Sequence, residues 1–218
     1  MPRSLRVLTY NIHQLRDDAS GVAEVLRRAD ADVVAVQEPP RGPFGQARLR
    51  RLADDAGYDV AVGGGRARTT ALLVRRGTPA TTAQAVRLRW RVGRTRRGLA
   101  MADVAGVRVI SAHLSLHESE RLQHVHRLML LVRSAEGGCV VAGDLNEEPG
   151  GPTWRRLGLH LRDVSAASGP TFTARNPRRR LDAVLATGGI HAAAVRRLDD
   201  DVARTASDHL PVVVDLRW

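Results

Sequence analysis

The sequence predicts an α/β protein, because short apolar runs alternate with amphipathic helical stretches along its 218 residues. No internal repeat and no long low-complexity linker interrupts this alternation, so we expect one domain over residues 1–218. Hydrophobic residues make up 43% of the chain, and no apolar run approaches the roughly 18 residues that a membrane-spanning helix needs. The N-terminal segment MPRSLRVLTYNIH lacks the apolar stretch of a secretory signal, so we expect a soluble, cytoplasmic protein.

The first part of the chain begins with a β-α-β unit. Two apolar runs, at 5–10 and 33–37, are predicted to be buried strands, and the amphipathic stretch 21–29 between them is predicted to be a helix. Further strands, broken by the turn signals GGG and GTP, imply an antiparallel portion of the sheet. The other predicted elements of this part are a helix at 47–56 and strands at 58–62, 71–75 and 81–90.

The second part is predicted to begin with a β-hairpin, in which strands at 98–104 and 107–113 flank a short turn. Ser115 followed by Glu118 fits a capping box that opens a helix. Segment 163–180 has little periodicity and predicts a long loop. The remaining predicted elements are strands at 140–142, 181–186, 192–198 and 211–216, a short helix at 152–157 and an acidic turn at 199–201.

Composition restricts the classes of partner. The net charge of +11 and the pI near 11.4 favour a polyanion, although every basic residue is Arg, and a coding-composition bias would produce the same charge. Aromatic residues make up only 3%, which argues against a protein that stacks single-stranded bases. The single Cys139 excludes an internal disulfide, and no Cys/His cluster has zinc-site spacing. Cys139 is predicted to be a small core residue.

The segment VVAGDLN is the strongest local signal for chemistry. Its apolar strand runs out into Asp144 and Asn146, and residues two apart in extended backbone point the same way. The carboxylate can orient or deprotonate a water molecule, and the amide can contact a phosphate oxygen or hold the carboxylate. The alternative is an Asx turn that simply ends the strand.

A second strand, in VVAVQEPP, ends at Glu38 before two prolines. Hard divalent cations prefer carboxylate oxygen, so Glu38 is a candidate magnesium ligand. A solvated turn residue is the alternative at this position.

Near the C-terminus, Asp208 and His209 precede the strand PVVVDL. Histidine can transfer a proton or donate to phosphate near neutral pH when a carboxylate orients it. Asp182, in RRLDAVLA, is the candidate partner, because packing does not explain an acidic residue at the start of an apolar strand. The alternatives are a surface turn for Asp208 and His209 and a strand-edge position for Asp182.

Two more polar residues follow apolar strands: Asn11 in LTYNIH and His113 in VISAHLS. Both can donate hydrogen bonds to phosphoryl oxygens whose charge grows in a transition state. Satisfied polar residues at strand ends are the alternative. The histidines at 117, 124 and 126 fall on the helix after Ser115, where we expect solvated or boundary positions.

Taken in order, the motifs TYNIH, VQE, AHLS, GDLN, RRLDAVL and SDHLP resemble the endonuclease/exonuclease/phosphatase superfamily, which includes deoxyribonuclease I and the abasic-site endonucleases. The pieces HLSLHESER and TFTARNPRRRLD are most similar to its small bacterial metal-dependent hydrolases. The resemblance implies a four-layer α/β sandwich, with two mixed β-sheets packed face to face, helices outside, and a site at the strand ends along one edge.

The same resemblance implies a role for each candidate residue. Glu38 is the principal Mg²⁺ ligand, Mn²⁺ being a possible substitute, with Asn11 and Asp208 beside the metal. Asp144 activates the water, while Asn146 and His113 contact the phosphate. His209, hydrogen-bonded to Asp182, stabilises the developing charge.

The expected activity is therefore Mg²⁺-dependent hydrolysis of a phosphodiester, with nucleic acid as the favoured substrate and a monomer as the expected state. A phospholipid headgroup, an inositol phosphate or another small phosphoester is allowed by the same residues, and the chain has no obvious inserted loop for reading bases. A non-catalytic, basic nucleic-acid-binding module is the alternative from outside the enzyme class. The strand after Asp182 also lacks the aromatic residue that many relatives carry there.

Overall fold

Successive side chains of each strand point to opposite faces of the sheet, so each sheet packs against another layer on both of its faces. The computed structural model describes residues 3–218, which contain twelve strands and five α-helices. The strands are β1 (Ser4–Asn11), β2 (Val33–Gln37), β3 (Tyr58–Val62), β4 (Thr70–Arg75), β5 (Ala80–Arg87), β6 (Gly98–Val104), β7 (Val107–His113), β8 (Cys139–Asp144), β9 (Arg162–Asp163), β10 (Asp182–Ala186), β11 (His191–Arg197) and β12 (Val212–Arg217). The helices are α1 (Ala19–Ala29), α2 (Gly45–Ala56), α3 (Glu118–Arg133), α4 (Pro152–Leu157) and α5 (Asp201–Ala206).

The strands form two mixed sheets of six. The first has the order β11-β12-β1-β2-β4-β3, and the second has the order β5-β6-β7-β8-β10-β9. Each sheet has one parallel pair at its centre, β1 with β2 and β7 with β8, and the flanking pairs are antiparallel.

The two sheets pack face to face. On β1, Val7 faces an inner layer and Leu8 faces the helices, and β8 divides in the same way between Val140 and Val141. The inner layer combines side chains of both sheets, whereas α1, α2 and α5 cover the first sheet and α3 and α4 cover the second. The predicted four-layer α/β sandwich, with helices outside, is confirmed.

The inner layer is apolar except close to one edge. There the Gln37 side chain accepts from Thr9 Oγ1 at 3.2 Å and donates to Ser111 Oγ at 3.3 Å, and Ser111 Oγ in turn donates to the Val36 carbonyl oxygen. Because buried polar groups are costly unless they are paired, this chain of hydrogen bonds sets how β2 lies against β7.

Helix α3 begins differently from the prediction. Ser115 Oγ accepts from the backbone N–H of His117 and donates to Glu120 Oε2 at 2.6 Å, so the expected pairing with Glu118 is wrong. The expectation for His124 is also wrong: its side chain is buried and its Nε2 lies 3.0 Å from the Arg89 carbonyl oxygen. The segment after β5 covers this face of α3, a tertiary contact that helical periodicity does not reveal.

Three other predictions need correction. The acidic turn at 199–201 continues into α5, whose first turn is capped by the Asp200 side chain accepting from the Ala203 N–H. The strand predicted to reach Trp90 ends at Arg87. The loop at 163–180 contains one residue of β9 and a 3-10 turn at Ala166–Ser168.

Cys139 is fully buried, as predicted. No helix in residues 3–218 has the length and apolar character needed to cross a membrane.

Candidate active site

The strand order brings the motif residues of the first sheet to one edge. Strands β1 and β2 are parallel and Asn11 pairs with Gln37, so Asn11 and the following Glu38 lie together where these strands end. Strand β12 is antiparallel to β1, so the segment that leads into it returns to the same edge. Ser207 Oγ donates to the Asn11 carbonyl oxygen at 2.7 Å, which places Asp208 and His209 beside β1.

The second sheet brings three residues to the corresponding edge. In the parallel pair β7 and β8, His113 lies opposite Asp144, and in the antiparallel pair β8 and β10, Asp182 lies opposite Asp144. Asp144 is therefore flanked on both sides by candidate site residues, and all three are at most 2% exposed.

Side-chain contacts join the two edges around Asp144. Asn11 Nδ2 donates to Asp144 Oδ2 at 3.2 Å, and Asn11 Oδ1 accepts from the His13 N–H, which fixes the orientation of the amide. His209 Nδ1 donates to Asp182 Oδ2 at 2.8 Å. On the other side of its ring, His209 Nε2 lies 3.9 Å from Asp144 Oδ2, and His113 Nε2 lies 3.4 Å from the same oxygen.

Burial and neighbouring charges set the protonation of these groups. Burial by itself lowers the pKa of His209, but the charge and hydrogen bond of Asp182 together with the charge of Asp144 raise it to about 10. Burial raises the pKa of Asp144 to about 6, against the opposing effect of His209. Burial, together with the charges of Arg97 and His209, lowers the pKa of His113 well below its usual value, so this imidazole is neutral at pH 7.

Asn146 forms the Asx turn that is the alternative interpretation of the GDLN segment, and its contact with phosphate stays a prediction. Its backbone N–H donates to Asp144 Oδ1 at 2.8 Å, which is the Asx-type turn, and its φ of +52° places it in the left-handed region. Its side-chain Nδ2 donates to the Leu114 carbonyl oxygen at 2.9 Å. The turn thus occupies Asp144 Oδ1 and leaves Oδ2 directed at Asn11 and the two histidines.

Glu38 and Asp208 are only half-buried and lie outside the tight cluster around Asp144. The backbone of Glu38 is held at a φ of +50°, with its N–H donating to the Thr69 carbonyl oxygen at 3.0 Å. Gln14 Nε2 donates to Glu38 Oε2 at 3.4 Å. The Asp208 carbonyl oxygen accepts from the Ala174 N–H at 2.7 Å, and its Oδ1 accepts from Ser207 Oγ at 3.4 Å.

Two residues near the site were not singled out from the sequence. Arg97 is buried, and its Nη1 donates to the His113 carbonyl oxygen at 3.2 Å; burial lowers its pKa, against the charges of Asp144 and Glu38. The sequence did contain a signal for Arg97, because it directly precedes an apolar strand, much as Asp182 begins one. The Phe172 ring packs 4.8 Å from the His209 ring, a contact between distant segments that the sequence does not reveal.

The donor set fits a divalent cation. Ligand atoms of Asp144, Asp182 and His209 lie within 4.8 Å of one another. Within residues 3–218, Asp182 Oδ1 is buried and has no hydrogen-bond partner, an arrangement that is costly unless a cation or a donor approaches. Because the His209 imidazole is protonated and held by Asp182, a hard cation is better matched by oxygens at the same edge, those of the Glu38 and Asp208 carboxylates and the Asn11 amide.

An acidic edge with a buried Asp–His pair, at the strand ends of two mixed sheets, defines a phosphoester hydrolase. The family model described as the Endonuclease/Exonuclease/phosphatase family matches residues 8–209, and the chain belongs to this family. The resemblance inferred from the six motifs is thereby confirmed.

Solved structures support the fold. An endonuclease/exonuclease/phosphatase protein from Beutenbergia cavernae is 28% identical, with a TM-score of 0.74 over 99% of this chain and 72% of its own. A mannosyl-6-phosphatase from Bacteroides thetaiotaomicron is 18% identical, with a TM-score of 0.79 over 97% of this chain and 99% of its own. The 2′,3′-cyclic phosphatase ANGEL2, solved with adenosine-2′,3′-vanadate, is 15% identical, with a TM-score of 0.73 over 99% of this chain and 96% of its own. The sequence has no match among curated proteins.

Proposed function

We propose that this protein hydrolyses a phosphodiester by attack of water in line with the leaving group, at the edge where Asp144 lies. The observation that carries the proposal is the chain of contacts from Asp182 through His209 to Asp144, which Asn11 joins from the other sheet. The catalytic unit spans residues 1–218 as one domain, because the inner layer unites both sheets, and a monomer is the proposed state.

Asp144 is the group that accepts a proton from the attacking water. With a pKa of about 6, most of this carboxylate is ionised at neutral pH. The raised pKa also makes it a stronger base than an ordinary carboxylate, which favours proton transfer from water. The Asn146 N–H holds one carboxylate oxygen and Asn11 Nδ2 holds the other, so the side chain is oriented before the substrate arrives.

His209, His113 and Asn146 stabilise the negative charge that develops on the phosphoryl oxygens. His209 keeps its proton at neutral pH because Asp182 holds Nδ1, and Nε2 is directed to the Asp144 side of the site. His113 is neutral and donates a hydrogen bond, and Asn146 offers the second hydrogen of its amide. Donors that are fixed in place before reaction are an efficient source of such stabilisation.

Mg²⁺, for which Mn²⁺ substitutes, would be held by the carboxylates of Glu38 and Asp208 with the amide of Asn11. When bound there, the cation polarises a non-bridging phosphoryl oxygen. The positive φ of Glu38 supports this assignment, because a strained backbone at the end of a buried strand is typical of a functional position.

Nucleic acid is the favoured substrate class, because the net charge of +11 attracts a polyanion. Hydrolysis of a small phosphoester is the second candidate. It is favoured by the full-length structural likeness to a protein named as a mannosyl-6-phosphatase.

A substrate panel tests the proposal. DNA, RNA, mannose 6-phosphate, phospholipid vesicles and bis(p-nitrophenyl) phosphate are each incubated with Mg²⁺, Mn²⁺ or chelator. We expect metal-dependent turnover of a diester that falls roughly a thousandfold in Asp144→Asn, while the exposed Asp55→Asn variant retains wild-type turnover. Turnover that survives in Asp144→Asn refutes the assignment. Salt-sensitive DNA binding without any turnover supports the non-catalytic module instead.

A further inference from the structure

A cavity of about 440 Å³ opens beside the catalytic edge of the first sheet. It is formed by three connections, from β2 to α2, from β3 to β4 and from β5 to β6. Its lining residues are Pro40, Arg41, Gly42, Gln46, Gly64, Gly65, Arg68, Thr95 and Arg96. Three of these are arginines and none is acidic, so the cavity is strongly positive.

The three arginines have no acidic partner within residues 3–218. Ion pairs within 4 Å occupy other arginines of the chain, such as Arg108 with Asp103 and Arg180 with Asp163, but none involves Arg41, Arg68 or Arg96. Arg68 Nε is buried and has no hydrogen-bond partner among the described residues. An unpaired, buried guanidinium N–H is costly unless a ligand accepts from it.

The cavity lies at the same strand ends as the proposed site, because Thr70 at the start of β4 pairs with Gln37 at the end of β2. Arg68 directly precedes Thr69, whose carbonyl oxygen accepts from the Glu38 N–H. Arg96 directly precedes Arg97, which donates to the His113 carbonyl oxygen. Arg41 lies three residues after Glu38, in the connection from β2 to α2.

The cavity walls are held in place. Gly64 has a φ of +66°, a left-handed conformation that favours glycine, and it lies against the Gln46 side chain of α2. On the opposite wall, the Arg96 guanidinium stacks 4.3 Å from the centre of the Trp90 ring. Stacking of this kind orients the planar guanidinium while leaving its edge free to donate.

We propose that this cavity binds a phosphate group of the substrate other than the one being hydrolysed, so that the substrate carries at least two phosphates. The inference rests on the proposed function, because the cavity adjoins the site to which hydrolysis is assigned. Arginine forks match the oxygens of phosphate, and bidentate pairing gives both affinity and register. The second phosphate is either the neighbouring group of a nucleic-acid strand or the second group of a small bisphosphate.

Binding measurements in chelator test the proposal without turnover. Titration calorimetry with a short oligothymidylate and with fructose 1,6-bisphosphate compares the wild-type protein with Arg41→Gln and Arg68→Gln. The exposed Arg127→Gln on α3 is the matched control. We expect each cavity variant to weaken binding of one probe about tenfold, and to reduce its salt dependence if that probe is the oligonucleotide. The probe that responds identifies the source of the second phosphate.

Kinetics separate this inference from the proposed function. The cavity variants should raise KM for the responsive substrate and leave turnover of bis(p-nitrophenyl) phosphate, which has one phosphate, within about twofold of wild type. If neither probe binds, or if binding is unchanged in both folded variants, the cavity proposal is wrong even where the protein hydrolyses diesters. If a probe binds through the cavity but no substrate is turned over, the proposed function fails and the binding site stands.

Discussion

Asn11 Nδ2 donates to Asp144 Oδ2 at 3.2 Å, and this hydrogen bond connects residues 133 positions apart across the two sheets. Asn11 ends β1 of the first sheet and Asp144 ends β8 of the second. The His13 N–H donates to Asn11 Oδ1 and so fixes the orientation of the Asn11 amide, whose Nδ2 then faces Asp144. The site therefore depends on the packing of one sheet against the other.

Replacing Asn11 with Ala should lower the rate of catalysis strongly and the stability of the fold only slightly. Loss of the amide removes a donor to Asp144 Oδ2, so we expect kcat for a diester to fall roughly tenfold or more, with about 1 kcal/mol lost from the free energy of unfolding. Steady-state kinetics and denaturant titration measure the two effects. Asn176→Ala, at an exposed loop position, is the control. Wild-type kcat in Asn11→Ala would show that Asp144 does not need this donor.

The pair of His209 and Asp182 should make the stability of the metal-free protein depend on pH. The pKa of His209 is raised from 6.5 to about 10 in the folded state, so its contribution is complete below about pH 6.5 and is lost as pH rises to 10. We expect the free energy of unfolding to fall more steeply across this window in the wild type than in His209→Asn. Equal slopes in urea titrations of the two proteins would contradict the assigned charge state.

Metal removal should abolish turnover and added metal should stabilise the fold. Because a ligand that binds only the native state raises Tm, we expect a saturable increase in Tm with Mg²⁺ or Mn²⁺. The increase should be lost in Glu38→Gln and kept in Glu136→Gln, a change at an exposed position. If both variants retain the same increase, Glu38 is not a principal metal ligand.

Arg121 should be structural rather than catalytic. Its guanidinium donates to the carbonyl oxygens of Ser115 and Leu116, to Thr153 Oγ1, and to Glu147 Oε1 at 2.7 Å, so it joins α3 to the start of α4. Removing it leaves the mostly buried Glu147 carboxylate without its cation, with only the N–H groups of Thr153 and Trp154 as donors. We expect Arg121→Leu to lower the free energy of unfolding by about 3 kcal/mol, measured by denaturant titration, and the exposed Arg127→Leu to change it by less than about 0.5 kcal/mol.

Local pattern was sufficient for most of the secondary structure. Strands such as β2 and β8 are fully buried apolar runs, and their position in the chain follows from hydrophobicity alone. Helix α5 was missed because it is short and begins in an acidic run that is also typical of a turn. It forms because Ala203 and Ala206 pack against the helices on the first sheet and because Asp200 binds Arg28 on α1.

The sequence by itself determined the family and the class of reaction, because six motifs stand in the order that resembles this family, and hydrophobicity placed their polar residues at or beside the ends of strands. Only the tertiary structure decided which residues meet: that Asn11 donates to Asp144, that Arg97 donates to the carbonyl oxygen of His113, and that three arginines without an acidic partner in residues 3–218 line one cavity. These contacts join segments far apart in the chain. They depend on how two sheets pack and how three loops converge, and local periodicity carries no information about either.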